Sequence, residues 1–372
     1  MLTSQLGIRM ILLMGQAVPL PAPREVLESL TNVQVTNDAQ NGDGFQISFM
    51  LSRTQPTDYS LLQSGALAPS TRVIIGVLLG VTPEVLIDGI ITHHQHAPSD
   101  DPSQSTLTVT GKDVSVMLDL EEKNEKYENQ PDFLIATQLI ARYAQYGLVP
   151  TITPTTDVPI MLERIPRQNE TDLRFIQRMA QRNGFVFYVE PITFGLNKAY
   201  WGPENRLGIP QSKLTMGQGA SGNLKSLHFT QDALAPVGTR GSFIEPITKT
   251  AIPIPPLPSL RIPPLAMSPA QPMRTVLMRD TANQNPARAA ISALAQATNA
   301  PDAVQGTGEI DSVRYGNVLR ARKLVNVRGA GLSYDGTFYV KSVTHTITRG
   351  SYKQSFSVSR EGTGTLLPVV AP

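Results

Sequence analysis

Phe45-Gln46-Ile47-Ser48-Phe49-Met50-Leu51 carries a strongly apolar residue at every second position. A period of two marks a strand with one face in a core and the other in water. Asn41-Gly42-Asp43-Gly44, just before it, is a turn signal. The same reading extends outward from this stretch. Val73–Leu79 and Val85–Thr92 are short β-branched runs, and Leu107 and Val109 alternate with threonines. Upstream, Met10-Ile11-Leu12-Leu13-Met14 is too short to span a membrane and no convincing small-residue cleavage site follows it. It reads as a buried first strand, not a signal peptide. Strands at this spacing predict a barrel or sandwich over residues 1–115.

The middle of the chain changes period. Residues 132–146 predict a helix, with Pro131 and Asp132 at its start, an apolar stripe of Ile135, Leu139, Tyr143 and Tyr146, and Gly147 at its end. A second helix is predicted over 170–183, with Asn169 as N-cap, Asp172 in the first turn, Arg178 and Arg182 in the last, and Gly184 as the stop. Phe185–Val189 follows as a buried strand. Residues 191–245 read as loops and short strands. Between Ile252 and Pro272 prolines are so dense that a polyproline connector or arm is expected in place of a β-ladder. An SH3-type ligand is the other reading of that stretch. An alanine-rich helix capped by Asn285 and opened by Pro286 comes next. Strands return at 318–327, 336–348 and 351–359. The fold class expected is α+β, mainly β: one β unit at 1–115, an α/β insertion at 116–190, a second β unit from 191–245 with 305–372, and a proline-rich linker and helix at 246–304.

Of the 372 residues, 41 % are hydrophobic and 17 % charged, a globular balance with a lightly charged surface. Cysteine is absent, which excludes disulfides, thiolate nucleophiles and cysteine metal sites. The net charge of +2 conceals an asymmetry: −5 over residues 1–110, −3 over 111–190 and +10 over 191–372. Arg314, Arg320, Arg322, Lys323 and Arg328 open a cationic stretch that contains one acid, Asp335, up to residue 360. Three readings stay open: a surface for nucleic acid, a solvated strand face, or a basic patch that receives the acidic N-terminal half of a neighbouring subunit.

Chemistry is sparse. His94 and His96 share one strand face and are a weak metal candidate; Asp100 and Asp101 are the nearest acids. The carboxylates of Asp119–Glu125 are numerous enough to raise a cell-wall hydrolase, yet they lie in a mixed charge run of the kind usually found on a solvated loop or helix. Gly217, Gly219 and Gly222 lack the Lys-Ser/Thr of a phosphate loop. A carbohydrate-binding β-protein is a further alternative; the single tryptophan, Trp201, speaks against it. No catalytic constellation and no cofactor is predicted.

Four blocks in order carry a family resemblance. Leu86-Ile87-Asp88-Gly89-Ile90-Ile91-Thr92 leads to Leu107-Thr108-Val109-Thr110-Gly111-Lys112-Asp113. Next come Ala141-Arg142-Tyr143-Ala144-Gln145-Tyr146-Gly147-Leu148, then Gln168-Asn169-Glu170-Thr171-Asp172 with Phe175, Arg178 and Ala180. The last is Gly336-Thr337-Phe338-Tyr339-Val340-Lys341-Ser342-Val343-Thr344-His345 with Tyr352. Together they resemble the phage late control protein D family of tail baseplate hubs, relatives of the N-terminal hub part of the valine-glycine repeat spike protein of type VI secretion. The resemblance spans about residues 84–360 and is poor over 191–310.

It implies a non-enzymatic homotrimer in which two tube-forming β-barrels per subunit build a ring, adapting a sixfold tail tube to a threefold spike. The implied partners are the inner tube protein, a separate spike protein and other baseplate components. Nucleic acid or cargo would only pass through the channel. The place implied is assembly in the cytoplasm and then a virion or injection particle. On this reading the basic residues Arg314, Arg320, Arg322, Lys323 and Arg328 line the lumen or meet acidic neighbours.

Overall fold

The structure, a computed structural model, describes residues 8–366 except 17, 52–58, 81, 102–103, 158, 160, 162–163, 218, 220–221, 245–249, 255–258 and 279–285. The N-terminal part comprises β1 (Arg9–Gly15), β2 (Leu20–Pro21), helix α1 (Arg24–Ser29), β3 (Leu30–Asp38), β4 (Gly44–Met50), the short α2 (Ser60–Gln63), β5 (Arg72–Leu79), β6 (Thr82–Ala97) and β7 (Thr106–Asp113). The apolar run at 10–14 is a strand, as expected; β1 lies antiparallel to β5. In β4, Phe45, Ile47 and Phe49 are buried while Gln46 and Met50 are exposed, so the alternation predicted the buried face correctly. Gly89 and Gly111 leave room for the Phe45 ring: a Cβ on Gly111 would lie 2.4 Å from Phe45 Cζ and 2.3 Å from the Ile90 carbonyl oxygen. Two glycines of the resemblance blocks are thus required by packing.

A 3-10 turn (Val114–Asp119) leads into β8 (Glu122–Lys126), α3 (Asp132–Ala141), β9 (Leu148–Ile152), β10 (Arg167–Thr171), α4 (Asp172–Arg182), β11 (Val186–Thr193) and β12 (Leu196–Gly202). The predicted first helix is shorter than its pattern. It ends at Ala141, a 3-10 turn (Ala144–Tyr146) follows, and Gly147 takes the left-handed conformation at φ 76°. The cap of α4 is Thr171, whose hydroxyl accepts from the Arg174 amide; the expected cap, Asn169, lies inside β10. The later part of the carboxylate run, from Glu122, is a strand, since β8 pairs antiparallel with β10. Ile135, Leu139, Phe175, Ile176, Met179 and Trp201 form the core of this segment. Trp201 is fully buried there and donates to the Ile176 carbonyl, so it offers no platform to a sugar.

The remainder contains β13 (Gln211–Thr215), β14 (Leu224–Gln231), β15 (Val237–Ile244), β16 (Ala251–Ile254), β17 (Ala266–Pro269), β18 (Arg274–Leu277), α5 (Pro286–Asn299), β19 (Val304–Asp311), α6 (Ser312–Tyr315), β20 (Leu324–Arg328), β21 (Gly336–Thr348), β22 (Ser351–Arg360) and β23 (Gly362–Thr365). The proline-rich stretch does supply ladders, contrary to expectation. β16 pairs with β15, and β17 with β23. Both are four-residue strands in sheets of two or three, where a proline can leave its missing N–H on an open edge. The expected cap Asn285 lies outside the described residues. The strand expected over 318–327 begins only at Leu324, because Arg322 adopts a positive φ of 64° that breaks the ladder before it.

The two β units are not separate barrels. Among the described residues they form one 13-stranded sheet, and no sheet closes on itself. The reason is the length of β21. Its first residues pair with β20, and Ser342–Thr348 pair with β3 from Asp38 back to Asn32. One core lies beneath β1 and β3–β7, with Ile347 and Tyr352 reaching into it. The other lies beneath β13, β14 and β19–β22. No helix among the described residues is long and apolar enough to cross a membrane.

Candidate functional site

The basic residues predicted to line a lumen or an interface divide into two groups. Arg322 is buried. Its guanidinium meets Asp43 with Nη2 at 2.5 Å from Oδ1 and Nη1 at 3.1 Å from Oδ2, donates to the Asp38 carbonyl, and lies 4.4 Å from the Tyr188 ring centre. Burial alone would depress its pKa, but the Asp43 charge and hydrogen bonds outweigh burial and hold it above the ordinary arginine value. Arg320 donates to Glu84 and to the Val85 carbonyl, on the stretch of β6 that β7 leaves unpaired. These two arginines join the basic C-terminal half to the acidic N-terminal half of the same chain. Arg314 and Lys323 do face solvent, at 61 % and 49 % side-chain exposure, near Asp311 and Glu190 respectively. Arg328 is half-buried in β20.

Asp43 sits among further polar groups. Asn37 donates to it at 2.8 Å, and its own amide donates to Asp113 at 2.9 Å. Burial, then the neighbouring Asp43 charge, pushes the Asp113 carboxyl up to about 6. A second junction holds the α/β segment against the sheet. Arg72 grips Asp88 with two hydrogen bonds of 2.8 and 2.7 Å and reaches the Tyr146 carbonyl, while Asn197 donates to Asp88 at 2.9 Å. Asp88→Ala strands a buried guanidinium, so we expect it to cost about 3–5 kcal/mol. Urea denaturation measures this; a loss below about 1 kcal/mol, the worth of an exposed pair, would refute it.

A third cluster contains three cations and three anions. Arg206 contacts Glu361, Glu204 and Asp302 at 2.8, 3.3 and 3.4 Å; Arg261 contacts Asp302 at 2.9 Å; Lys341 contacts Glu204 at 2.7 Å. It ties the proline-rich arm, through Arg261, to the middle of β21 at Lys341 and to the end of β22. The most specific resemblance block has a similar structural reason. Asp172, buried at the start of α4, accepts from Lys123, Tyr143 and Gln168 at 2.7, 2.8 and 2.6 Å.

The other candidates have structural partners. His94 Nε2 hydrogen-bonds the Leu67 carbonyl, and His96 packs edge-on against Tyr59. Among the described residues no three ligating side chains converge. Glu125 holds Arg142 and Tyr127, and Asp119 accepts from Thr171. Sequence reading missed Asp43, Asp88, Glu204, Asp302 and Glu361. The signal available was only that an isolated acid in an apolar strand, such as Asp88 in Leu86–Ile91, must be paired if buried.

A family model described as the Alg8 N-terminal domain matches residues 25–207, a little under half of the chain. No curated protein gives a significant match. Solved structures do. A tail protein from Neisseria meningitidis MC58 is 15 % identical with a TM-score of 0.62, over 96 % of this chain and 98 % of that one. The 43 kDa tail protein of prophage MuSo2 from Shewanella oneidensis is 13 % identical with a TM-score of 0.62, over 95 % and 98 %. The E. coli c3393 protein, a type VI secretion system component, is 14 % identical with a TM-score of 0.55, over 92 % and 77 %. The chain has the fold of these phage tail and type VI secretion proteins, the fold to which its four sequence blocks pointed.

Proposed function

We propose that the chain is a structural, non-enzymatic hub of a phage-tail-like baseplate: a homotrimer that adapts a sixfold tube to a threefold spike. The observation that carries this reading is the likeness to tail proteins along nearly the full length of both chains. On this reading the two cores under one sheet correspond to two β units per subunit, which would make six in a trimer. The sheet ends at β14 on one side and at β1 with the two-residue β2 on the other. Open edges of this kind are normally covered, and a neighbouring subunit would cover them. Among the described residues, Asp43, Asp88, Glu204 and Asp302 are paired with cations in buried junctions, which favours a scaffold over a cell-wall hydrolase. The inner tube protein, a separate spike and other baseplate components are the partners of this reading.

Light scattering tests it. Three chains of 40.4 kDa give about 121 kDa. That mass supports the trimer. A 40.4 kDa species at every concentration, alone and with its spike, overturns it.

A further inference from the structure

One face of the long sheet is built from small uncharged polar side chains. Opposite its cores, the register aligns Ser351, Thr348, Asn32, Ser48, Thr108 and Gln95 in a row across β22, β21, β3, β4, β7 and β6. The row beside it runs Asp311, Lys353, Thr346, Gln34, Gln46, Thr110 and His93. Its two charges are opposite in sign and stand on adjacent strands. Hydroxyls pair across strands: Thr36 with Thr344 at 3.2 Å, Ser48 with Thr108 at 3.4 Å and Ser342 with Ser357 at 2.9 Å. At the end of the strands α4 rises beside this face. The two border a groove of about 660 Å³ whose lining includes Gln46, Thr110 and Gln177 and, at its charged part, Lys112, Arg174, Asp43, Asp113 and Asp119. Arg174 stands 3.7 Å from Asp119.

Such a face suits neither of the two common roles. A protein interface has apolar or aromatic anchors at its centre, and these rows hold none. An ordinary solvent face is about one-quarter to one-third charged, and the first row has no charge. A wet surface without anchors and without arrays of charge has little to hold a passing polymer. The lack of arginine in these rows is telling in a chain whose last 182 residues carry a net +10. Cationic rows would bind phosphates by releasing counterions; two arginines of the C-terminal part, Arg322 and Arg360, are instead turned into the interior.

We infer that this Ser/Thr/Gln face is the inner wall of the ring, a neutral surface past which a nucleic acid moves without being held. The inference rests on the hub reading and reverses the expectation that basic strands line the channel. Because the chain has no cysteine, Gln46→Cys and Thr344→Cys each introduce a single thiol on this face. In the assembled trimer each is expected to react with a small maleimide as an exposed thiol does. A maleimide carrying a bulky polymer is expected to be excluded, with reaction restored in the unfolded chain. Equal reaction with both reagents places the face outside the ring, and reaction with neither buries it between subunits; either overturns the wall. Light scattering on the same samples reports separately whether the hub reading itself has failed.

The second arm uses intact particles. Gln46→Arg, Thr110→Arg and Thr344→Arg together are expected to slow nucleic-acid release about tenfold or more at low salt and to lose that effect at high salt. Unchanged release, or particles whose cargo is protein alone, overturns the nucleic-acid assignment.

Discussion

Arg322→Ala is expected to destabilise the protein by about 3–5 kcal/mol, because it leaves the buried Asp43 carboxylate without its cation. The loss depends on pH. With Arg322 gone, Asp43 and Asp113 are two buried acids facing each other without a counter-charge. Already in the native chain the Asp113 carboxyl is raised to about 6 from an ordinary value of 3.8. The folded state thus binds a proton that the unfolded state has released, and stability from this group is present below pH 4 and lost as pH rises through about 6. The variant should therefore be less crippled at pH 5 than at pH 7.5. Urea titrations at both values test this, and a loss that is the same at both removes Asp113 from the account. Pairing Arg322→Met with Asp43→Asn should recover much of the loss, since replacing both partners avoids an unpaired buried charge.

Acid is expected to act most strongly through His345. Its ring is fully buried, with Nδ1 2.8 Å from the Tyr352 hydroxyl and Nε2 without a partner among the described residues. Burial, reinforced by the Arg320 charge, pushes its pKa down to about 3 from 6.5. The unfolded chain takes up this proton first as pH falls, so the stability is present above pH 6.5 and is lost progressively toward pH 3. Between pH 7 and pH 4 the loss should be about 3 kcal/mol. His345→Phe keeps a ring in the core and should remove that part of the acid slope; an identical slope in native and variant protein would falsify the assignment. The closing sequence block ends in this histidine, and its place in the structure is a neutral, stacked ring.

Legibility followed the range of the interactions. Alternation in β4 and β21 is local, and the buried faces of both strands were readable from it. Helix α4 was readable from Asp172 in its first turn, Arg178 and Arg182 near its end and Gly184 after it, but its cap was displaced to Thr171. That residue both ends β10 and caps the helix, and no helical period shows that a strand runs into the cap. Counting charge along the chain does not show where an arginine's partners lie. Arg360 looked like surface yet stacks 4.2 Å from Phe338 and donates to the carbonyls of Gly362, Asp335 and Ser333. Its carbonyl partners bear no charge that a sequence count would register. The cluster of Arg206, Asp302 and Glu361 joins residues up to 155 positions apart, beyond the reach of any local pattern. Separate barrels were expected for the same reason, since the pairing of β21 with β3 links residues about 300 positions apart.

The shared strand β21 also determines how the subunit bears load. A pull that separates the N-terminal strands from the C-terminal ones along the strand direction must shear seven backbone pairs at once, Ser342–Thr348 against Asp38–Asn32. Arg320 and Arg322 are rivets across the same seam. A joint of this kind yields all at once, so a thrust delivered to one half of the subunit is passed to the other as rigid displacement with little bending between them.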